Sequence, residues 1–227
     1  MCFVDSFNMV LLNYTVMERI FAIGDIHGCF DKLIALMDII DVDLERDTLV
    51  FIGDYIDRGA QSKEVVDYLI DLSKRAGKVV FLKGNHELML EQYLNGMNQF
   101  GFLANGGLAT LDSYSNGGAP DKTNPIPTTH LDFFRDLSIY YETDRYIFVH
   151  AGLRANVPLE EQNEWDMLWI REEFIYSDFD FGKRVIFGHT PFQEPLVFDN
   201  KIGIDTGAVY GNKLTCVELP AVKFYSV

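Results

Sequence analysis

Ile20-Phe21-Ala22-Ile23-Gly24-Asp25-Ile26-His27-Gly28 opens on four apolar residues and closes on a glycine-rich turn that carries a carboxylate and an imidazole. An apolar run ended by Gly-Asp reads as a strand entering a loop, and Leu33, Ile34, Leu36, Met37 and Ile40 then recur at helical spacing over residues 30–40. The unit is strand, loop, helix. It returns at residues 48–52, followed by Gly53-Asp54-Tyr55-Ile56-Asp57-Arg58-Gly59 and a helix over 63–76. It returns again at 78–82, followed by Gly84-Asn85-His86-Glu87 and a helix over 87–94. Strands alternating with helices predict an α/β chain with right-handed crossovers, and motifs at the carboxyl ends of the strands predict a site along one rim of the sheet.

Farther out the pattern loosens. Gly106-Gly107, Asn116-Gly117-Gly118, Pro120, Pro125 and Pro127 mark loop chemistry between residues 95 and 129, around a short helix at 108–114. Thr128 or Thr129 is expected to cap a helix that runs to 137, and residues 146–149 form a strand that delivers His150. From Arg184 onward short apolar runs at 184–187, 196–198, 202–204, 213–219 and 222–225 predict a second, largely non-helical sheet packed on the first.

A chain of 227 residues with 48% hydrophobic content can bury a single sizeable core. Lys and Arg total 19 against 34 Asp and Glu, a net charge of −15 that repels a nucleic-acid backbone, so no nucleic-acid partner is expected. Cys2, Cys29 and Cys216 are odd in number and lack metal-finger spacing, which fits a reducing cytoplasm and no disulfide framework. Residues 1–16 are moderately apolar, but they lack a basic start and a cleavage pattern and are too short to span a bilayer. They are expected to be an extension outside a single domain over 17–227, with no membrane partner and a monomeric state.

Four of the five histidines sit in short motifs: His27, His86, His150 in His150-Ala151-Gly152, and His189 in Gly188-His189-Thr190. Imidazole nitrogens with carboxylate oxygens suit divalent transition metals, and each motif follows an apolar run that can hold a ligand rigidly. The motifs read as one site.

In this order, the motifs around Asp25, Asp54, Asn85, His150 and His189 resemble the phosphoprotein phosphatase family within the calcineurin-like metallophosphoesterases, over residues 19–219. Leu168-Trp169-Ile170-Arg171 and Ile204-Asp205-Thr206-Gly207-Ala208-Val209-Tyr210-Gly211 are most similar to bacterial members. Ala60, where proline is frequent, and the loop at 115–127 depart from the commoner pattern. The resemblance implies a four-layer sandwich in which two mixed β-sheets are flanked by helices. It further implies two divalent metal ions, manganese first, with iron or zinc also admitted by the ligand types. Asp25 and His27 would hold the first, Asp54 would bridge both, and Asn85, His150 and His189 would hold the second. Ions ~3.5–4 Å apart share a carboxylate, lower the pKa of a bridging water and clamp phosphoryl oxygens, while a neutral amide adds a ligand without adding charge. His86, paired with Asp57, matches the family's general acid, and Arg58 and Arg171 match its phosphate-clamping arginines, whose guanidinium forks suit phosphate oxygens.

Other residues receive plainer expectations. Glu87 supports the start of the helix that follows the third motif. Cys29 packs as a small apolar group. His130, outside every motif, is expected to be solvated or to cap a helix. Asn105 and Tyr210 are candidates for the substrate cleft.

The function expected from the resemblance is hydrolysis of phosphoserine and phosphothreonine in proteins by direct attack of a metal-bridging hydroxide, with no phosphoenzyme. The alternative is a symmetrical dinucleoside tetraphosphate hydrolase, which needs a base-stacking wall and more basic residues; no such cluster stands out in the sequence. A third reading, a non-catalytic phosphopeptide-binding module, would lack ligands or His86, and all of these are present.

Overall fold

A computed structural model describes residues 18–115 and 126–227. The expectations for residues 1–16, for the domain start at 17, and for most of the loop at 115–127 lie outside the described residues. Within them the three strand-loop-helix units form as β1 (Ile20–Ile23) and α1 (Phe30–Ile39), β2 (Thr48–Phe51) and α2 (Ser62–Arg75), and β3 (Lys78–Phe81) and α3 (Asn85–Leu94). β1 pairs β2 and β2 pairs β3 in parallel, so the loops after all three strands gather on one edge.

The chain continues through α4 (Gln99–Phe102), a π-helical turn at Leu103–Gly107, α5 (Leu108–Ser115) and α6 (Thr128–Arg135). β4 (Tyr140–Glu142) and β5 (Tyr146–Val149) precede the short helices α7 (Glu164–Trp169) and α8 (Glu172–Ile175), and then come β6 (Arg184–Phe187), β7 (Leu196–Val197), β8 (Lys201–Gly203), β9 (Thr215–Leu219) and β10 (Lys223–Ser226). One sheet has the order β10-β9-β1-β2-β3 and the other β4-β5-β6-β8-β7, each with parallel and antiparallel pairs.

The late strands therefore do not all build the second sheet, as their run in sequence suggested. β9 lies antiparallel to β1, with Ile20 opposite Leu219 and Ile23 opposite Cys216, and β10 extends that edge. Strand pairing over such a separation leaves no local periodicity to read. β4, a three-residue edge strand paired to β5 in a local hairpin with Tyr140 opposite Val149, was not foreseen for a different reason: three largely exposed residues are too short a pattern to read.

Alternation along each strand explains the layers. Ile20, Ala22, Val50, Ile52 and Val217 face Phe148, Ile186 and Ile202 between the sheets. Phe21, Ile23, Leu49 and Phe51 point the other way, into α1, α2 and α3, while Ile147, Val149, Val185 and Phe187 pack under Met167, Phe174 and Ile175 of α7 and α8. Strands apolar on both faces are the mark of a doubly covered sheet, and the result is helices, sheet, sheet, helices.

Two local expectations are corrected. α6 has Pro127 at its N-cap, whose ring offers no hydrogen-bonding group, so neither threonine is the N-cap. His130 is buried, not solvated: its ring bridges the Tyr114 hydroxyl at 2.8 Å and Asp67 Oδ1 at 3.0 Å, tying α6 to α5 and α2. Burial pulls the imidazole below its ordinary range, against the opposing charge of Asp67. Cys29 is half-buried against the core, as expected of a packing residue.

Candidate active site

The motif loops are stitched to one another by main chain. Asp54 O accepts hydrogen bonds from Ile26 N at 3.1 Å and His27 N at 2.8 Å, and Gly188 N donates to His150 O at 2.8 Å. Glu87 binds three amides at once, Gly84 N, Asp54 N and Tyr55 N, each at 2.9 Å, and so ties the start of α3 to the turn after β2. It supports the third motif as expected, and burial followed by the Asp54 charge raises its carboxyl to about 8. Glycine is required at two crossings: a Cβ on Gly84 would lie 2.1 Å from Asp54 Oδ1, and one on Gly188 would lie 2.1 Å from Asp25 Oδ1. Of the eight non-glycine residues with positive φ among the described residues, five are His27, Asp54, Asp57, Arg58 and His189. Backbone in the left-handed region persists where surrounding contacts enforce it, and here it is concentrated in the motifs.

Asp54 stands at the centre. Its Oδ2 is 3.3 Å from His27 Nε2 and 4.0 Å from His86 Nε2, while its Oδ1 is 3.4 Å from His150 Nε2. Ligand atoms of His27, Asp54 and His86 form one group within 4.8 Å of one another, and those of Asp54, His150 and His189 form a second. Asn85 Oδ1 joins the second group, 3.0 Å from His150 Nε2 and 2.9 Å from His189 Nδ1. Two donor sets thus share one carboxylate. Asp25 is buried beside them, with its oxygens 3.0 and 3.2 Å from the amide of His189 instead of in either group.

The electrostatics suit cations. Burial opposes the charged form of Asp54, yet the imidazoles of His150, His86 and His27 hold it well below the usual carboxylate range. Burial pushes His189 down to about 2 and lowers His150, keeping both in the neutral form that ligates metals. For His27, burial is outweighed by the Asp54 carboxylate, and the imidazole rises. Burial, then Asp205 and Asp54, raises Asp25. His86 Nε2 and His189 Nε2 are buried without a hydrogen-bond partner. Buried imidazoles, carboxylates and an amide oxygen converging in this way fit a pair of divalent cations held by His27, Asp54, Asn85, His150 and His189, with Asp25 alongside.

His86 also meets its expected neighbour. Its Nδ1 is 2.6 Å from Asp57 Oδ2. Asp57 is fixed in turn by the Thr110 hydroxyl, which donates to Oδ1 at 2.5 Å and accepts from Asp57 N at 2.9 Å. Arg58 hydrogen-bonds His27 Nε2 through Nη1, and its guanidinium lies 5.6 Å from the centroid of the Tyr210 ring. Lys32 Nζ holds the turn that presents Tyr210 by bonding Ala208 O at 3.0 Å and Asn212 O. Arg171 is exposed, with Nη1 3.4 Å from Thr190 Oγ1, next to His189. Lys201, buried, donates to Phe174 O and Ser177 O at 2.6 Å each and so anchors the segment after Arg171. Asn105 bonds Gly101 O within its own helical turn.

Three features escaped the sequence reading. Asp205 is a buried carboxylate beside Asp25 that accepts the Gly207 amide at 2.9 Å. Thr110 is a plain helix threonine in sequence. Trp165 and Trp169 stack with centroids 5.2 Å apart and planes 22° apart, and Trp169 meets the His189 ring edge-on at 6.1 Å. The sequence showed no base-stacking wall, whereas the fold builds an aromatic ladder that starts at the site. Spacing of four residues within α7 was the available signal.

The family model for calcineurin-like phosphoesterases matches residues 18–213. A curated relative, the bis(5'-nucleosyl)-tetraphosphatase PrpE [asymmetrical] of Anoxybacillus flavithermus, is 29% identical across 90% of this chain and 92% of its own. A solved structure described as a candidate diadenosine tetraphosphatase superposes with a TM-score of 0.74 at 24% identity, covering 94% of each chain. A cold-active protein-tyrosine phosphatase of a psychrophilic Shewanella shares the fold at a TM-score of 0.70 and 18% identity, over 92% of this chain and 77% of its own.

Proposed function

Since the chain belongs to the calcineurin-like phosphoesterase family, we propose that it is a metal-dependent hydrolase of dinucleoside tetraphosphates that releases a nucleoside monophosphate and a nucleoside triphosphate. The observation that carries the substrate class is the pairing of an arginine with an aromatic ring on each side of Asp54. Arg58 lies over Tyr210 beside His27, and Arg171 lies beside His189, against which Trp169 packs. An arginine binds phosphate and an aromatic face binds a base, so the two flanks suit the nucleoside ends of one polyphosphate. The curated relatives carry the asymmetrical form of this activity in their name, in place of the symmetrical form considered from sequence.

When bound, two divalent cations, manganese being the first to test, would supply Lewis acidity and make water a competent nucleophile near neutral pH. The chain's own residues do the rest. Arg58 and Arg171 hold the phosphoryl oxygens and offset the charge that builds in the transition state. His86 gives a proton to the departing phosphate oxygen from Nε2, and Asp57 fixes the ring through Nδ1. Phosphoserine and phosphothreonine in proteins remain the competing substrate class, since the same machinery hydrolyses monoesters. A panel of diadenosine tetraphosphate, phosphopeptides and p-nitrophenyl phosphate, each with manganese, tests the choice: the reading requires the highest kcat/KM on the dinucleotide, and a phosphopeptide preference would overturn it.

A further inference from the structure

Trp165 is 62% exposed although it is one of only two tryptophans in the chain, and it lies flat on the other, Trp169. Large aromatic rings left in water on a rigid support suggest a stacking surface. The support here is firm. Asn163 caps α7 by accepting the Asp166 amide at 2.8 Å, Asp166 receives Arg154 at 2.6 and 2.7 Å, and Met167 O accepts the amide of Ala151, the residue after His150. The ladder is therefore held in register with the second donor group, and Trp169 touches His189 itself.

The chemistry around Trp165 selects what can lie on it. Glu160, Glu161 and Glu164 are exposed on the segment that carries Trp165, whereas Arg171 stands beside His189, so negative charge is disfavoured at the ring itself while an uncharged base is free to stack. The phosphate chain is favoured at the inner end of the ladder, between Arg171 and Arg58. We infer that Trp165, backed by Trp169, is a stacking wall for one nucleobase of the substrate, an inference that rests on the dinucleotide reading above. In the cleavage proposed above, the oxygen of water bonds to the α-phosphorus and gives up a proton to solvent, the bond from that phosphorus to the oxygen shared with the β-phosphorus breaks, and that oxygen leaves with its electron pair on the nucleoside triphosphate and takes a proton from His86, which is reprotonated from solvent.

Because the only tryptophans are this pair, intrinsic fluorescence reads the wall directly. Titration of the manganese-loaded full chain with AMP should quench tryptophan emission, whereas ribose 5-phosphate, which has the same phosphate and sugar but no base, should not. Equal responses to both, or none to AMP, would overturn the wall. Trp165→Ala should raise KM for diadenosine tetraphosphate about tenfold, and Trp165→Phe should stay within about twofold of the parent, since any flat ring can stack. If the parent cleaves the dinucleotide and Trp165→Ala leaves KM unchanged, the wall is wrong and the proposed function stands. If AMP quenches but the dinucleotide is not cleaved, the wall stands and the proposed substrate is wrong.

Discussion

Nδ1 of His86 lies 2.6 Å from Oδ2 of Asp57, and both side chains are buried. The carboxylate accepts the Nδ1 proton and orients the ring, so that Nε2, which has no partner of its own, faces Asp54 and the site. This is the arrangement required of a group that must deliver a proton at one stated atom.

His86→Asn should lower kcat by about two to four orders of magnitude on substrates with poor leaving groups and by less on p-nitrophenyl phosphate. Asp57→Asn, which changes only the support, should cost about 10–100-fold. Steady-state rates across leaving groups of graded pKa check both; an equal loss on every leaving group would assign His86 a structural role.

Asp54→Asn should reduce both metal content and kcat, because the replaced carboxylate is shared by the two donor groups. Metal analysis after dialysis, alongside turnover, reads the two together. Retention of two metal ions per chain with parental turnover would remove Asp54 from the centre.

The order of the motifs made the α/β start, the strand ends and the gathering of His27, Asp54, Asn85, His86, His150 and His189 at one place legible, because each motif is chemically distinctive and follows an apolar strand closely. What stayed hidden depends on distant contacts. β9 returns to β1 across the whole chain. Thr110 acts only because α5 packs against α2 beside Asp57. His130, isolated in sequence, gives no sign there of anything beyond a solvated or helix-capping group, yet Tyr114 and Asp67 close around it. The tryptophan ladder likewise exists only once α7 is laid against His189.

Arg58→Ala and Arg171→Ala should each raise KM and lower kcat, since phosphate charge is present in both the ground and transition states. The Arg58 variant should be the more severe, because that side chain also contacts His27 and Tyr210. Michaelis parameters for the dinucleotide give the test, and unchanged values for either variant would take that arginine out of the site.

Buried His130 predicts a pH-dependent stability. Its folded pKa lies below the unfolded value of about 6.5, so its contribution is complete above that pH and is lost as pH falls toward the folded pKa, where the unfolded chain binds the proton more readily. Its packed neighbours Tyr114 and Asp67, with Lys63 nearby, set the balance. The urea midpoint should fall less between pH 7.5 and pH 5.5 in His130→Gln than in the parent; equal falls would show that another group governs the loss.

The most direct test of the account is hydrolysis of diadenosine tetraphosphate by the manganese-loaded chain in ¹⁸O-water, with products separated and weighed. The account predicts AMP and ATP in equal amounts, the label in AMP, and loss of turnover on chelation. Formation of ADP alone, label in ATP instead of AMP, or no turnover of the dinucleotide while phosphopeptides are hydrolysed would contradict it.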